Sequence, residues 1–324
     1  MHSRMLACRL GAALAVLVAA GAALPAASAQ KTVAVTAIVD HPALNAARDG
    51  IRDELAASGF GGSAINFVYE SAQGNPGTAG QIARKFVGER PDVIVPISTP
   101  SAQAVVSATR DIPIVFTAVT DPVGAKLVTN LERPGKNVTG VTDLSPIRKH
   151  LELITRITPG AKRIGVIYNP GEPNSVTLVG LVKTHAPEFG MTVAEAASPR
   201  SSDVLAASRS LVGKVDAIYV PTDNTVVTAF EAIARVGAEA KIPVYAGDTD
   251  SVKRGAIAAV GFNYYDVGRQ TGQVVARVLR GEKPGDIPVR GVEITELHVN
   301  PGAAARMGVT IPQAVLAEAK TVVQ

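Results

Sequence analysis

The sequence contains one β-α-β unit twice, and this internal repeat restricts the fold more than any other feature. Residues 91–123 read PDVIVPISTPSAQAVVSATRDIPIVFTAVTDPV, and residues 214–252 read KVDAIYVPTDNTVVTAFEAIARVGAEAKIPVYAGDTDSV. Asp92 of the first copy corresponds to Asp216 of the second, and an Ile-Pro pair precedes the second strand of each copy. The repeat therefore predicts two similar lobes that face each other.

Strands and helices alternate around each copy. Residues 31–39 and 162–168 are short apolar runs rich in β-branched residues, typical of strands buried on both faces. A helical pattern follows each run and ends at Gly59 or Gly190. Alternation at this spacing predicts parallel sheets with helices on both faces. We expect an α/β fold with two similar doubly wound parallel-sheet lobes, joined by a multi-strand hinge.

Two segments outside the repeat, residues 137–145 and 258–265, would connect the lobes. The first carries the chain to the second lobe, the second carries it back, and the tail crosses once more. We expect residues 30–142 with 264–293 to form lobe 1, and residues 143–263 with 294–324 to form lobe 2. No Gly/Ser- or Pro-rich tether separates the halves, so the crossings predict a hinge rather than a flexible linker.

Residues 1–29 have the features of a cleaved secretory signal peptide. Arg4 and Arg9 come before a run of Ala, Leu, Val and Gly at residues 10–24, and Ala27-Ser28-Ala29 forms a small-x-small cleavage site. The apolar run is too short for a comfortable membrane span. We expect the mature protein to be free in the periplasm.

Composition excludes several classes of function. The only cysteine, Cys8, lies in the predicted signal peptide, so the mature chain would have no disulfide, thiolate metal site or cysteine nucleophile. Cleavage also removes two arginines and no acid, which leaves 30 basic and 28 acidic residues and a net charge of +2. With this weak charge, 4% aromatic residues and no Trp, nucleic acid is not expected as a partner.

Motifs for cofactors and catalysis are missing from the sequence. There is no G-x-G-x-x-G after the first strand, no Walker motif, no G-x-S-x-G elbow and no H-E-x-x-H pair. We therefore expect no cofactor, no metal ion and no enzymatic activity.

Ligands of open parallel sheets bind where loops leave the carboxyl ends of the strands. Two such sheets facing each other predict a site in the cleft between these loops. In lobe 1 the candidate residues are His41, Gln73, Ser98, Thr99, Ser101, Phe116, Thr117 and Asp121. In lobe 2 they are Tyr168, Asn174, Ser175, Thr222, Asp223, Asn224 and Asp248.

The two copies of the repeat differ at the turn after their first strand. Ser98-Thr99-Pro100-Ser101 predicts a helix start with Thr99 as the N-cap, and free N–H groups at Ser101 and Ala102 would suit a carboxylate. The second copy has Thr222-Asp223-Asn224 instead. A hydroxyl-rich helix end facing the acids Asp223 and Asp248 would suit an α-amino acid.

Each of these residues also has a simpler interpretation. Thr99, Asn174 and Asp223 are good helix caps whether or not they bind a ligand. Asp121 and Asp250 occupy matched positions in the two copies, which favours a shared structural role. Phe116 and Tyr168 would either stack on an aromatic ligand or belong to the core.

Short motifs along the whole mature chain carry a resemblance to a known family. They are HPAL at 41–44, STPSAQ at 98–103, FTAVTDPVG at 116–124, NVTGV at 137–141, YN at 168–169, NS at 174–175, PTDN at 221–224, DTDS at 248–251 and GRQTG at 268–272. With these motifs the chain resembles type I periplasmic solute-binding proteins of ABC importers, and among them the tryptophan/tyrosine-type substrate-binding proteins. Family members from single-membrane bacteria resemble lipoproteins, and this sequence departs from that pattern.

The resemblance implies a type I periplasmic-binding-protein-like fold and a membrane permease of an ABC transporter as a partner. The expected function is the periplasmic binding of a small amino acid or aromatic carboxylate, with hinge closure on the ligand. Two alternatives stay open: a ligand-sensing adaptor for a periplasmic receptor, whose cleft would look the same, and a secreted hydrolase that uses Asp223 and Asp248 as an acid/base pair.

Overall fold

The computed structural model of this chain describes residues 30–323, and the predicted signal peptide lies outside these residues. The strands are β1 (Lys31–Ala37), β2 (Ile65–Ser71), β3 (Val93–Ile97), β4 (Ile114–Val119), β5 (Val138–Thr142), β6 (Arg163–Tyr168), β7 (Thr192–Ala197), β8 (Ala217–Val220), β9 (Val244–Ala246), β10 (Ala258–Gly261), β11 (Arg290–Gly291), β12 (Glu296–Val299) and β13 (Thr321–Val322). The helices are α1 (Pro42–Ala57), α2 (Pro76–Glu89), α3 (Thr99–Ala108), α4 (Ile147–Ile157), α5 (Pro173–His185), α6 (Val204–Ser210), α7 (Asn224–Thr228), α8 (Phe230–Ala240), α9 (Asp250–Lys253), α10 (Tyr264–Leu279), α11 (Pro301–Arg306) and α12 (Gln313–Glu318).

These strands form two sheets with the same internal order. The first sheet runs β11-β5-β4-β3-β1-β2, and the second runs β13-β12-β10-β9-β8-β6-β7. In the second sheet, all strand pairs are parallel except that of β10 with β12. Since β6 to β10 repeat the order of β1 to β5, each lobe is a doubly wound sheet with its own buried apolar core. The predicted fold class is confirmed.

Two corresponding aspartates make the same kind of contacts in both copies of the repeat. Asp92 accepts the backbone N–H of Thr32 at 2.8 Å and the ammonium of Lys31 at 2.8 Å. Asp216 accepts the backbone N–H of Arg163 at 2.8 Å and its guanidinium at 2.8 Å. Each acid thus ties the start of the first strand of its lobe to the start of the third.

Helix α10 returns the chain to the first lobe, where it packs along α1 at backbone contact distance. A Cβ at Gly50 would lie 2.1 Å from the carbonyl oxygen of Tyr265, and a Cβ at Gly268 would lie 2.0 Å from that of Ala47. Only glycine permits this approach. The helix that follows the second crossing is therefore an integral part of the first lobe.

The chain crosses between the sheets three times: from β5 to α4, from β10 to α10, and from β11 to β12. The lobe boundaries, expected after residues 142, 263 and 293, stay a prediction. Within residues 30–323, no helix is both long and apolar enough to span a membrane.

Candidate functional site

The loops at the carboxyl ends of both sheets line a partly open cavity between the lobes, with about 350 Å³ of empty space including the part that is open to solvent. In the strand order shared by the sheets, the second strand of each lobe lies on one side of the first and the later strands lie on the other side. The order therefore switches between β1 and β3 and between β6 and β8, and such switch points are where these sheets bind ligands. The loops after β1, β6 and β8 all contribute to the cavity. Its lining residues are His41, Ala43, Leu44, Ala118, Thr120, Asp143, Asn174, Thr222, Asp223, Asn224, Val227, Asp248 and Tyr264.

Six of the residues predicted from the sequence line this cavity. They are His41, Asn174, Thr222, Asp223, Asn224 and Asp248. Their contact with a ligand stays a prediction. Thr120 lies within the cleft loop predicted at residues 117–121. Sequence reasoning missed the polar lining residues Asp143 and Tyr264, which lie at the crossings.

Asp223 is the N-cap of α7 and is fully buried. Its Oδ1 accepts the backbone N–H of Val226 at 2.8 Å, and its Oδ2 accepts the N–H of Asn169 and the hydroxyl of Ser175, both at 2.6 Å. Burial, and secondly the negative charge of Glu172, raise the pKa of Asp223 to about 7. Ser175, a predicted ligand residue, is itself occupied by this bond and does not line the cavity. The capping interpretation of Asp223 is correct, and the residue also forms part of the cavity wall.

Asp248 has a similar local role at the start of the short helix α9. Its Oδ1 accepts the backbone N–H of Ser251 at 2.8 Å, and its Oδ2 accepts the hydroxyl of the same residue at 2.7 Å. Burial raises the pKa of Asp248.

Asp143 lies in the first crossing and is the acid with the most unused acceptor capacity. Its Oδ2 accepts the hydroxyl of Tyr264 at 2.7 Å, whereas its Oδ1 has only a long contact of 3.5 Å with the hydroxyl of Thr120. Burial raises the pKa of Asp143. Because Tyr264 begins α10 after the second crossing, this bond also joins two of the three crossings.

No lysine or arginine faces these three acids in the cavity lining. The only other titratable nitrogen there belongs to His41, whose pKa burial, and secondly the charge of Arg254, lower to about 4. The imidazole is therefore neutral at pH 7, and its buried Nδ1 has no hydrogen-bond partner among the described residues. The cavity thus presents carboxyl groups and neutral polar groups, and it lacks a protein cation.

The start of α3 differs from the prediction in its cap. The N-cap is Ser98, not Thr99, and Ser98 has a left-handed backbone with φ of 78°. The N–H of Ala102, predicted to be free, donates to the carbonyl of Ser98 at 3.0 Å. The hydroxyls of Ser98, Thr99 and Ser101 are buried and have no partner among the described residues.

These hydroxyls are not part of the cavity lining, but they follow a strand whose two neighbours lead into it. Strand β3, which comes before Ser98, lies between β1 and β4 in the sheet. The segments that follow β1 and end β4 contribute His41 and Ala118 to the lining. Ala118 also has a left-handed φ, 52°, which marks a second strained position at the carboxyl edge of this sheet.

Three of the predicted ligand residues lie on strands and contact other protein groups. Phe116 is fully buried in the core of the first lobe. Thr117 is also fully buried, and its hydroxyl accepts that of Thr271 at 2.7 Å. Tyr168 donates its hydroxyl to Glu195 at 2.8 Å on an exposed side of the second sheet. None of the three lines the cavity, because strand alternation turns their side chains toward other surroundings.

Two further predicted residues support their own loops. Gln73 donates its amide to Asp40 at 2.9 Å at an exposed position. Asp121 accepts the backbone N–H of Gly124 at 2.8 Å, which is the structural role favoured by the match with Asp250. Neither side chain lines the cavity.

Within residues 30–323, no group of three or more His, Cys, Asp or Glu side chains is arranged to hold a metal ion.

Comparison with known proteins identifies relatives over nearly all of the residues that the structure describes. Residues 32–323 match the family model described as ABC transporter substrate binding protein. A tyrosine-binding protein of Clostridioides difficile (strain R20291) is 44% identical over 272 residues, 84% of this chain and 79% of the relative.

Two solved structures of related proteins have a similar fold. An ABC domain from Streptococcus pneumonia in complex with L-Trp is 36% identical, has a TM-score of 0.88, and covers 91% of this chain and 100% of its own. The ligand-free, open structure of a substrate-binding protein with adhesive properties from Clostridium difficile is 40% identical, has a TM-score of 0.68, and covers 91% of this chain and 99% of its own.

Proposed function

This chain belongs to the family of ABC transporter substrate binding proteins, and we propose that it binds an α-amino acid in its inter-lobe cavity. It would act in the periplasm and present the closed, loaded form to the permease of an ABC importer. The single observation that carries the choice of ligand is the group of three buried acids, Asp143, Asp223 and Asp248, in a cavity whose lining contains no lysine or arginine.

A buried carboxylate without a partner is costly, and a ligand ammonium would supply the missing charge. An ammonium has three N–H donors and so needs about three acceptors. The unoccupied capacity of Asp143 Oδ1, the unpartnered Oδ1 of Asn174 and the carboxylate of Asp223 provide acceptors of this kind on the cavity wall. We assign the ammonium to this corner, with Asp143 as the principal acceptor.

The carboxylate of the amino acid would lie toward α3. The buried hydroxyls of Ser98, Thr99 and Ser101 are donors without partners, and they stand at the positive end of a ten-residue helix. This end of the site belongs to the first lobe, whereas Asn174 and Asp223 belong to the second. An amino acid bound in this way would hold the lobes together.

Relatives favour an aromatic side chain. One is named for tyrosine binding and another holds L-Trp. The arrangement of the lobes supports a ligand-holding form, since the TM-score is higher with the L-Trp complex than with the open, ligand-free structure, although the open protein is the more similar in sequence. We propose tyrosine and tryptophan as the first ligands to test.

The test is a thermal-unfolding screen of the purified mature protein with the twenty amino acids, several aromatic acids and several sugars. A ligand at 100 times its Kd stabilises the folded state by about 2.7 kcal/mol. In a protein of this size that is a shift of several degrees in Tm. We expect L-Tyr or L-Trp to give the largest shift, and their decarboxylated amines to give less. A shift with sugars alone would show that the amino-acid proposal is wrong.

A further inference from the structure

A buried carboxylate lies behind the cavity wall without lining it. Glu172, just before α5, is only 5% exposed. Its Oε1 accepts the backbone N–H of Thr225 at 3.0 Å and the hydroxyl of that residue at 2.6 Å. Its Oε2 accepts the backbone N–H of Asn224 at 3.1 Å and the side-chain amide of that residue at 2.6 Å. One side chain therefore fastens the loop after β6 to the loop after β8.

The same carboxylate fixes the orientation of a lining residue. The amide nitrogen of Asn174 lies 3.3 Å from Glu172 Oε2 and 3.2 Å from the carbonyl oxygen of Thr222. A backbone carbonyl and a carboxylate can only accept hydrogen bonds. The nitrogen of Asn174 must therefore face them. Its Oδ1 remains the unpartnered, buried acceptor that we assign to the ligand ammonium.

Glu172 also brings a second negative charge to the first turn of α7. Asp223 binds the N–H of Val226 there, while Glu172 binds the N–H groups of the two residues before it. Asp143 and Asp248 line the same cavity, and His41 on the facing lobe is neutral at pH 7. No cation in the cavity lining offsets the repulsion between the two carboxylates, and like charges at close range disfavour ionisation.

We propose that Glu172 is a positioning residue for the ligand ammonium, which orients the acceptor oxygen of Asn174 and makes affinity depend on pH through Asp223. The ligand part of this inference rests on the proposed function. As the pH falls, Asp223 takes up a proton early, because burial and the nearby charge of Glu172 raise its pKa. Its neutral form attracts an ammonium less, so affinity falls with the pH.

The first experiment needs no ligand. Asp side chains carrying ¹³C at the carboxyl carbon are titrated by NMR in the wild type and in Glu172→Gln, with the Asp223 signal assigned from Asp223→Asn. We expect the midpoint of Asp223 to move down by about one pH unit or more when the neighbouring charge is removed. A wild-type midpoint as low as that of an ordinary exposed aspartate would overturn the proposal without any variant of Glu172.

The second experiment measures the affinity for L-Tyr and L-Trp by calorimetry from pH 5 to pH 8. In the wild type, affinity should fall up to tenfold per pH unit below the midpoint, and in Glu172→Gln the fall should begin at least one unit lower. If no amino acid binds the wild type, the proposed function fails, whereas the NMR titration still decides whether Glu172 controls the charge of Asp223.

Two matched variants separate positioning from simple structural support. Thr225→Val removes one donor to Glu172 and the acceptor of the Asn169 side-chain amide but keeps both charges, so affinity should weaken at every pH while the midpoint stays in place. Glu172→Asp keeps the charge with a shorter reach, and it should restore the wild-type midpoint. An equal shift of the midpoint in Thr225→Val and Glu172→Gln, or none in either, overturns the proposal.

Discussion

At the scale of single residues, Asp143 differs from the other two acids of the cavity in how little the protein uses it. Asp223 receives three hydrogen bonds and Asp248 receives two, and all five come from groups that begin a helix or a neighbouring loop. Asp143 receives one short bond, from Tyr264. Local structure therefore explains its burial least, which agrees with its proposed role as the ammonium acceptor.

Replacing Asp143 with asparagine should weaken amino-acid binding and leave the fold intact. The amide oxygen can still accept the hydroxyl of Tyr264, and the amide nitrogen can donate to Thr120, so both protein partners are kept. A hydrogen bond to a charged group contributes about 1.5–3 kcal/mol, which corresponds to a roughly ten- to hundredfold loss of affinity. Calorimetry gives the affinity, and thermal unfolding should show an unchanged or higher Tm, since a buried charge is removed.

Asp121→Asn is the matched control, because Asp121 lies in a cleft loop but does not line the cavity. It should bind ligand as the wild type does. Equal affinities of the Asp143 and Asp121 variants would exclude Asp143 as the ammonium acceptor.

Sequence reasoning found the acids that lie inside the repeat and missed the one outside it. Asp223 and Asp248 stand out because the first copy has no acid at either place. Asp143 lies in a crossing, where no second copy exists for comparison. A scattered histidine such as His150 is typical of a surface position, yet it is buried between the hydroxyl of Tyr219 at 2.6 Å and a backbone carbonyl.

At the scale of helices and strands, the alternating pattern predicted the order of elements well, because buried parallel strands and amphipathic helices have distinct periodicities. The second copy of the repeat was expected to contain one amphipathic helix. The structure has two, α7 and α8, with Ala229 between them in a non-helical conformation (φ −111°, ψ 29°). No Gly or Pro marks this break, so it could not be predicted from the chain.

The aspartates that begin the central strands should stabilise both lobes independently. Asp216→Asn removes an ion pair and weakens the bonds to two backbone N–H groups, and we expect a loss of about 0.5–2 kcal/mol in the free energy of unfolding. Asp92→Asn is the equivalent change in the other lobe. Urea unfolding at pH 7 measures both, and the losses in the double variant should add within about 0.5 kcal/mol.

The effect of Asp216 should also depend on pH in a defined direction. The guanidinium of Arg163 is the main cause that lowers the pKa of Asp216 to about 2. A depressed folded-state pKa stabilises the protein above the unfolded value of about 3.8, and this stabilisation is lost as the pH falls toward 2. The Tm difference between wild type and Asp216→Asn should therefore shrink below pH 4. A constant difference down to pH 2.5 would contradict this account.

At the scale of the whole molecule, the closed arrangement buries three acids against a cavity that holds no protein cation. Without a ligand this form carries a desolvation cost that an open cleft would relieve. The three crossings allow such an opening, since the lobes have separate cores and separate sheets. The repeat made two lobes predictable, but it did not reveal Asp143, which lies outside both copies.

The empty protein should therefore be more open in solution than the structure described above. Small-angle X-ray scattering should give a larger radius of gyration without ligand than with saturating L-Tyr or L-Trp. Asp143→Asn, which removes one of the buried charges, should shift the empty protein toward the compact form. An empty wild type as compact as the loaded protein would show that the acids do not oppose closure.

The glycine contact between α1 and α10 has a consequence for how the chain is made. Lobe 1 begins near residue 30 but lacks its second long helix until residues 264–279 have been synthesised, because Gly50 and Gly268 pack together only then. Domains usually fold as units, starting from the N-terminus as the chain emerges. Here the half that is synthesised first is complete only when almost the entire chain has been made. The predicted signal peptide would direct export, and a chain that crosses a membrane unfolded would benefit from such a delay.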